Sequence, residues 1–544
     1  MRLTLHTLLL LSFLLLCVAS RARAEEEDEG GGEEADPPQV AVGERLFLET
    51  RFSQFFFARC GGDANALVPG GDPVTANIET LNGTIPGPFA GQGINCRNCH
   101  FVDDAKQTPG GGNRSYSDFA RHSPVPERED GRTTTPRNSP SLVNSALARS
   151  SPFFLHFDGE FPSAAALVEG TLTGRNFGWM PGEHDQAVAH IAAVIRGDDG
   201  TGQLAQDFGG SYRRVLAGGD RFVPSDFRLT PRFSIDVDRA SDAQILRAVA
   251  RLIAAYVESL EFENASPYDR FLEKNNLPDE PRGPEPPGSY IQRLKLLLNE
   301  IEEPDFVTIA DGAFQLSSQP FVFGDLELQG LRIFLDRKRG NCVSCHPPPL
   351  FTDFRFHNTG ATQEEYDAVH GEGAFATLAI PDLASRNADP DAFLPATEAH
   401  PLAAEPFRRE PTANAPGYAD LGLWNMVENP DFHGRGFQRR LARMVCRSQG
   451  APTFCNRSRA ALVDAATGLF KTPGLRTLGQ SAPYLHTGQK DTLEDVVRFY
   501  VTMSARGRAG QLRNGARELR RMQISEADVA PLAAFLRALN EDYE

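Results

Sequence analysis

The chain has 544 residues, a formal net charge of -17 and eight cysteines. A chain of this length exceeds what one hydrophobic core can organise, so we expect two or three domains. The acidic balance argues against a nucleic-acid-binding protein. After residue 24 no stretch of about 20 apolar residues occurs, so we expect no membrane anchor.

The first 24 residues have the pattern of a secretory signal peptide. Arg2 supplies the positive start, Leu8 to Val18 form the apolar core, and Ala22-Arg23-Ala24 is a small-residue cleavage site. Cys17 follows a leucine rather than a small residue, which argues against lipid attachment. The sequence therefore predicts a periplasmic or secreted protein whose mature chain begins near Glu25.

Residues 25–42 are predicted to form an acidic, disordered leader. Eight acidic residues lie among glycines between Glu25 and Asp36, and such a composition cannot bury a core. The first amphipathic helix is predicted to start at Gly43 and to run through Glu49.

Further helices follow in chain order. Ile245, Val249, Leu252 and Tyr256 are spaced for one buried face of a helix over Ser241–Glu261, with Ser241 as its cap. Two more helices are predicted over Tyr290–Glu302, after a Pro-rich break at Pro278–Pro287, and over Gly324–Asp336. A hinge is predicted at residues 305–323, and residues 361–420 are expected to be loops.

Four of the cysteines fall into two copies of one pattern. These are Cys96-Arg97-Asn98-Cys99-His100 and Cys342-Val343-Ser344-Cys345-His346. The pattern attaches c-type haem, because its two thiols add to the vinyl groups of one porphyrin and its histidine becomes the proximal iron ligand. A zinc site would need a second ligand pair near each motif, and a redox dithiol would not need the histidine. We therefore predict two covalently bound haem c groups, with His100 and His346 on the irons.

Three other cysteines are interpreted as structural. Cys446 and Cys455 are close enough in sequence to form a short disulfide loop, whereas Cys60 is left over. Because a helix precedes each haem motif, the chain has the pattern of a diverged duplication. The predicted fold is mostly α, with two cytochrome c-like haem domains at residues 43–315 and 316–544, long loops and little sheet.

Several sequence blocks carry a resemblance to a known family. They are GERLFLETRFS, RNSPSLVN at Arg137–Asn144, HFDGE at His156–Glu160, SPYDRF at Ser266–Phe271, and the longer blocks Gly340–Gly360 and Phe470–Tyr500. On these blocks the chain resembles the bacterial dihaem cytochrome c peroxidase and MauG family over nearly all of the mature chain. It is longer than compact members, and its insertions could form a different substrate surface.

The resemblance implies a division of labour between the haems. The haem nearer the N-terminus reacts with the oxidant, and the C-terminal haem passes electrons to it. The expected oxidant is hydrogen peroxide or oxygen. The expected partner is a small electron-donor protein of the cytochrome c or cupredoxin type, and a basic donor would suit the acidic chain.

The family also implies a second ligand for the C-terminal haem iron. In the block Phe470–Tyr500 that position is methionine in peroxidases and tyrosine in MauG-like members, and here it is Tyr500. Thr492 is a good helix cap before it, and Tyr500 shares a face with Leu493 and Val497. The alternatives are Met503 one turn later, or no ligand from this helix.

The first haem's site departs from the family pattern. Phe157 stands where compact members have tryptophan, and Leu167, Thr171 and Phe177 stand where the family has glutamine, proline and glutamate. Cleavage of the O–O bond of peroxide needs a positioned acid or base. The predicted substitutes are Glu169 as proton mover and Arg175 as a charge near the oxidant.

Glu169 and Arg175 could also have roles outside catalysis. Glu169 would otherwise be a solvated helix residue, and Arg175 would pair with a haem propionate. His122, His156 or His184 could instead ligate the first iron in a resting state.

The resemblance also implies a calcium ion between the domains. Asn138 and the backbone carbonyls of Ser481 and Pro483 occupy the matching places, and oxygen ligands suit this cation. Asn138 could instead only cap a turn.

Three functions compete at this stage. The first is a peroxidase that takes electrons through the C-terminal haem. The second is a MauG-like or rubber-oxygenase-like enzyme acting on a larger organic or protein substrate, which the apolar residues Phe157, Leu167 and Phe177 favour. The third is a non-enzymatic dihaem electron carrier.

Overall fold

A computed structural model describes residues 36–80, 83–87, 90–100, 122–147, 149, 153–314, 319–432, 434–450, 456–476 and 478–542. The predicted signal peptide lies outside the described residues, as does Cys455. No described helix is both long enough and apolar enough to cross a membrane.

Helices predominate over strands in the described part of the chain, which confirms the predicted mostly α fold class. The helices of the N-terminal half are α1 (Pro38–Phe47), α2 (Gln54–Phe57), α3 (Ala164–Leu172), α4 (His184–Gly197), α5 (Gln203–Asp207), α6 (Tyr212–Ala217), α7 (Asp242–Ser259), α8 (Pro267–Lys274) and α9 (Pro287–Glu300). Those that follow are α10 (Asp325–Leu335), α11 (Ala361–His370), α12 (Ala374–Thr377), α13 (Leu383–Ala388), α14 (Pro390–Phe393), α15 (Gly434–Ser448), α16 (Arg459–Ala465), α17 (Leu493–Arg508) and α18 (Val529–Arg537).

The strands described form two antiparallel pairs. Strand β1 (Asn77–Thr80) pairs with β2 (Gly83–Pro86), with Asn77 opposite Pro86. Strand β3 (Phe356–His357) pairs with β4 (Phe470–Lys471), with His357 opposite Phe470. The second pair joins two distant segments that both line the candidate site described below.

The first core is built on the crossing of α1 and α7. Helix α7 has the predicted cap, since the Ser241 side chain accepts from the backbone N–H of Gln244, and its predicted apolar face is buried. Helix α1 begins at Pro38 rather than Gly43, so it includes residues 38–42 that the sequence assigned to the leader. A Cβ at Gly43 would clash with the carbonyl oxygen of Leu252. Glycine therefore lets the two backbones touch.

The second core repeats this plan in the C-terminal half. Helix α10, which leads into the second haem motif, packs on α18. A Cβ at Gly330 would clash with the carbonyl oxygen of Pro531, as at Gly43. Both halves thus have a glycine in the helix preceding the motif, at its contact with a later helix. This arrangement supports the predicted duplication.

A third core lies where the sequence analysis expected loops. Residues 361–420 contain four short helices, and Tyr366, Phe375 and Phe407 are buried in a cluster with Trp424 and the buried face of α15. The prediction of little regular structure is wrong because these apolar residues have no steady spacing and bury their side chains only through long-range packing. We call residues 361–469 the third-core module.

The two ends of the predicted hinge at residues 305–323 pack against the second core through Val307 and Phe323. Val307 and Phe323 exchange backbone hydrogen bonds of 3.0 Å, and both side chains are buried. Among the described cysteines, Cys446 is disulfide-bonded, and Cys60 is buried with its thiol outside any disulfide. The pairing of Cys446 with Cys455 stays a prediction, because Cys455 lies outside the described residues.

The close helix contact at Gly330 gives a stability prediction. We expect Gly330→Ala to lower the free energy of unfolding by about 1–3 kcal/mol, since the added methyl group must push α10 off α18. Gly436→Ala in α15 is the matched control, because a Cβ there meets open space. Thermal and urea unfolding followed by circular dichroism measures both. Equal stability of the two variants would contradict the assigned contact.

Candidate functional site

Both haem-attachment motifs line one continuous cavity of about 1600 Å³. Cys96, Cys99 and His100 lie on its wall, and so do Cys342, Cys345 and His346. None of these four cysteines is in a disulfide. A pocket for one drug-sized ligand occupies roughly 300–1,000 Å³, so this cavity has room for more than one such group.

The first motif is held by a short 3₁₀ turn at Cys96–Asn98. Asn95 caps the turn through its side chain and donates from its amide to the carbonyl of Leu48, 2.8 Å away. Helix α1 thereby fixes the start of the motif. Burial lowers the pKa of His100 to about 4, so its imidazole is neutral at pH 7. Neutral imidazole is the form that binds iron.

The second motif has the same turn and a better-defined histidine. Cys342–Ser344 form the turn, and the Ser344 hydroxyl donates to the Asn341 side chain over 2.7 Å. Nδ1 of His346 lies 2.8 Å from the carbonyl oxygen of Phe351, so it carries the proton. This hydrogen bond fixes the ring and leaves Nε2 as the ligand atom, as in other metal-binding histidines.

Tyr500 and Met503 have different surroundings on α17. The helix begins as predicted, because the Thr492 hydroxyl accepts from the backbone N–H of Asp495. Tyr500 lines the cavity, and burial together with the nearby Cys345 and Cys342 raises the pKa of its phenol. Met503 is fully buried in a cluster with Phe499 and is not part of the cavity wall. The geometry therefore favours Tyr500 over Met503 as a group facing a bound haem.

The wall beside the first motif is largely apolar. Leu155, Leu167, Val168 and Phe177 contribute to it, and Phe157 also lines the cavity. Helix α3 supplies the central part of this wall and is capped by Ser163. This face of the site thus offers little polar chemistry of its own.

The two predicted catalytic residues are poorly placed for their roles. Glu169 lies on α3 but does not line the cavity, and burial raises its pKa. Arg175 lines the cavity, yet its guanidinium donates to Asp130 at 2.8 Å and to the carbonyls of Pro126 and Arg132 at 2.6 and 2.8 Å. The charge of Arg175 is therefore already paired. The geometry favours neither Glu169 as proton mover nor Arg175 as a charge near the oxidant. It also does not favour the alternative that Arg175 binds a propionate.

The three candidate histidines each face a glutamate. His122 lies 2.9 Å from Glu410 and is not on the cavity wall. His184 lines the cavity and contacts Glu398 at 3.0 Å, with both side chains more than a third exposed. His156 lines the cavity with Nδ1 3.0 Å from Glu160. His156 has the least exposed carboxylate partner of the three.

His156, Asp158 and Glu160 form a compact cluster whose ligand atoms lie within 4.8 Å of one another. Arg408 lies 2.5 Å from Glu160 and 3.3 Å from Asp158. Arg137 donates to Asp158 at 2.6 Å. Since two guanidinium groups already neutralise the carboxylates, the cluster is an ion-pair network rather than a cation site.

Lys471 is a cavity-lining residue that the sequence analysis did not single out. Its backbone N–H donates to the carbonyl of Phe157 at 2.8 Å, and its amine has no acidic partner among the described residues. Burial and the nearby Arg149 lower the pKa of Lys471 to about 7. An anionic group in the cavity, such as a haem propionate, would favour the charged form of this amine.

Two of the three predicted calcium residues, Asn138 and Pro483, are in contact across the two halves. The Asn138 backbone N–H donates to the carbonyl of His486 at 2.7 Å, and its side-chain amide donates to that of Pro483 at 2.6 Å. The Asn138 side-chain oxygen is buried and accepts no hydrogen bond. Exchange of the amide's O and N would turn this oxygen towards the Pro483 carbonyl, as a shared cation requires.

Comparison with known proteins agrees with the resemblance found in the sequence. Residues 90–277 match the family model described as Di-haem cytochrome c peroxidase, so the predicted resemblance to that family is confirmed. Among curated proteins, the chain is 24% identical over 257 residues to cytochrome-c peroxidase IdrP2 of Denitromonas iodatirespirans. It is 40% identical over 75 residues to cytochrome-c peroxidase IdrP2 of Pseudomonas sp. (strain SCT).

These curated relatives are matched only in part. The matches cover 46% and 14% of this chain, and 47% and 18% of the respective relatives. Among solved structures, the chain is similar to the diheme peroxidase BthA from Burkholderia thailandensis E264, with 18% identity, a TM-score of 0.43 and coverage of 93% of this chain and 87% of that one. A MauG-like protein associated with microbial copper homeostasis gives 17% identity, a TM-score of 0.45 and coverage of 94% and 91%.

The independence of the two motifs can be tested by haem counting. We expect Cys342→Ser combined with Cys345→Ser to reduce the haem content of the exported protein from two to one, since each thiol pair serves one porphyrin. Cys60→Ser is the control and should retain both haems, because its thiol is buried away from the cavity wall. Pyridine haemochrome assay and intact mass spectrometry give the counts. Two haems in the double variant would refute the assignment.

Proposed function

We propose that this chain is a periplasmic or secreted dihaem c-type oxidoreductase that reduces hydrogen peroxide with electrons from a small donor protein. The observation that carries the proposal is the shared cavity. Two haem-attachment motifs line it, and across it the ring of His346 is already oriented as a metal ligand. The family match over residues 90–277 supports the same class of enzyme.

The residues at the cavity fit two haem groups. Cys96, Cys99 and His100 would hold the first, and Cys342, Cys345, His346 and Tyr500 would hold the second. The bound haems would supply one-electron redox chemistry and an iron able to bind peroxide. Lys471 would orient a propionate, since the residue lines the cavity and its amine has no acidic partner among the described residues. Phe157 would exclude water from the same region.

The donor is proposed to be a small protein of the cytochrome c or cupredoxin type. The net charge of -17 favours a donor with a basic docking face, because opposite charges accelerate encounter. Phenylalanine at 157 is much harder to oxidise than the tryptophan of compact relatives. Electrons would then pass between the haems without a side-chain radical at this position.

A calcium ion is proposed to join the halves at Asn138. Its buried, unpaired side-chain oxygen and the carbonyls of Ser481 and Pro483 would supply ligands of the kind that calcium prefers. Water would complete the coordination. The ion would strengthen a contact that already includes the 2.7 Å hydrogen bond between Asn138 and His486.

A second candidate is MauG-like or rubber-oxygenase-like oxidation of a larger organic or protein substrate. It is favoured by the apolar wall near the first motif and by the third-core module, whose residues Ala396 and Leu402 also line the cavity. Leu402 is largely exposed and could contact an apolar substrate outside. Consumption of peroxide without such a substrate would favour the peroxidase.

The peroxidase proposal is tested by rapid mixing. We expect the reduced, fully haem-loaded protein to react with peroxide within the mixing experiment, with a change in the Soret band and oxidation of two electron equivalents per peroxide. Carbon monoxide should bind one of the two haems, because the other has ligands on both sides. A dihaem electron carrier would react with neither peroxide nor carbon monoxide. Absence of either reaction would therefore overturn the proposal that this protein is a peroxidase.

The Tyr500 assignment has its own test. We expect Tyr500→Phe to raise the reduction potential of the C-terminal haem and to convert its iron to high spin, because tyrosinate stabilises oxidised iron. Met503→Leu should leave both properties unchanged, since Met503 is buried away from the cavity. Redox titration and EPR make the measurements. An unchanged spectrum in Tyr500→Phe would show that this residue is not a ligand.

A further inference from the structure

The turn at Leu155–Phe161 places a histidine and a glutamate side by side on the cavity wall. Leu155 and Phe161 bridge the two ends of the turn through a 2.9 Å backbone hydrogen bond. His156 has a positive φ of 61°, in the left-handed region where Asn, Asp and His are enriched among residues other than glycine. This conformation of the turn places Nδ1 of His156 3.0 Å from Glu160.

Glu160 is fixed as a carboxylate. Burial alone would raise its pKa, but Arg408 and the hydrogen bond from His156 together hold the pKa well below its usual range. Arg408 contacts Glu160 at 2.5 Å and Asp158 at 3.3 Å, and Asp158 is in turn bound by Arg137. Two cations thus keep the cluster ionised and rigid.

An ionised Glu160 determines the tautomer of His156. A carboxylate only accepts hydrogen bonds, so the proton of neutral His156 lies on Nδ1. Nε2 therefore has a free lone pair, and the ring is held by Phe161, whose edge-to-face contact has a centroid distance of 4.9 Å. His156 lines the same cavity as His100. A carboxylate-oriented histidine of this kind is a general acid–base arrangement.

No other predicted group supplies this chemistry. The family's glutamate is replaced by Phe177, Glu169 is off the cavity wall, and the guanidinium of Arg175 is bound to Asp130. His184 also faces a glutamate, but that pair is exposed, and no second ion pair to it occurs among the described residues. His156 combines a place on the cavity wall with a fixed, ionised partner.

We propose that His156 is the proton-moving residue of the first haem site, with Glu160 and Arg408 as its positioning residues. The inference rests on the proposed peroxidase function. Nε2 takes a proton from one oxygen of hydrogen peroxide and returns it to the other, which leaves as water when the O–O bond breaks. The donor protein supplies two electrons, and two protons from solvent complete the second water. The overall change is H₂O₂ + 2e⁻ + 2H⁺ → 2H₂O.

The test compares His156→Gln with His400→Gln in the exported, haem-loaded protein, because His400 also pairs with a carboxylate, Asp391 at 3.0 Å, but does not line the cavity. Glutamine keeps much of the side-chain volume of histidine but cannot exchange protons. We expect His156→Gln to slow single-turnover reaction with peroxide by about 100-fold or more, in line with general acid–base effects. The resting optical and EPR spectra should match those of the wild type. His400→Gln should match the wild type in every measurement.

A second pair of variants separates chemistry from structure. In His156→Ala, added imidazole should restore part of the peroxide reaction, because a small base can occupy the vacated space. In Glu160→Gln, the limiting rate should fall about 10-fold or more while the half-saturating peroxide concentration stays the same, since the ring is less well oriented. Thermal unfolding and haem content of each variant show whether the protein is intact.

The outcomes separate this inference from the function on which it rests. If the wild type does not react with peroxide, the proposed function fails. If the wild type reacts and His156→Gln reacts equally fast, the function stands and the inference is wrong. If His156→Gln instead converts the resting first haem from low to high spin, His156 is an iron ligand and the proton-moving role is likewise overturned.

Discussion

The buried guanidinium of Arg137 is the interaction on which the shape of the cavity depends. It donates through Nε and Nη2 to Asp420 at 2.5 and 2.8 Å and through Nη1 to Asp158 at 2.6 Å. All three side chains are nearly inaccessible to solvent. Loss of the cation would leave the buried Asp420 without a guanidinium partner and Asp158 with Arg408 alone, and breaking a buried ion pair costs roughly 3–5 kcal/mol. Arg137 therefore holds the HFDGE turn, next to the first motif, against the third-core module.

The same network continues towards the cavity as alternating charges. Asp158 contacts Arg408, Arg408 contacts Glu160, and Glu160 accepts from His156. Each group is desolvated, so each depends on its neighbours to remain charged. A rearrangement at Arg137 would therefore change the position of His156 through the intervening ion pairs. The same ion pairs thus hold the HFDGE turn in place and orient the side chain of His156.

The sequence correctly predicted structural features that depend on neighbouring residues, such as helix caps and buried helix faces. The spacing of Ile245, Val249 and Leu252 predicted the buried face of α7, and Thr492 predicted the start of α17. The helical period from Leu493 also placed Tyr500 on the inward side, where it lines the cavity. These features depend on hydrogen bonds and side-chain spacing within one or two turns, which a sequence shows directly.

Contacts between residues that are far apart in the sequence could not be predicted from residue spacing. Glu160 and Arg408 are 248 residues apart, so no spacing rule could pair them. Counting along the family pattern reached apolar or uncharged residues, and Glu169 was chosen as a polar residue close to them in sequence. In the fold, Glu169 does not line the cavity. The third core was missed for a related reason, since Tyr366, Phe375 and Phe407 have no periodicity and gain their burial only from distant partners.

The third-core module is therefore part of the site rather than an appendage to it. It supplies Arg408, which fixes Glu160, and Asp420, which fixes Arg137. It also contributes cavity-wall residues such as Ala396 and Leu402. The acid–base role proposed for His156 depends on this contribution, because a buried Glu160 stays ionised only beside a countercharge. Arg408 supplies that countercharge from a position 248 residues further along the chain, so the HFDGE turn and the third-core module depend on each other.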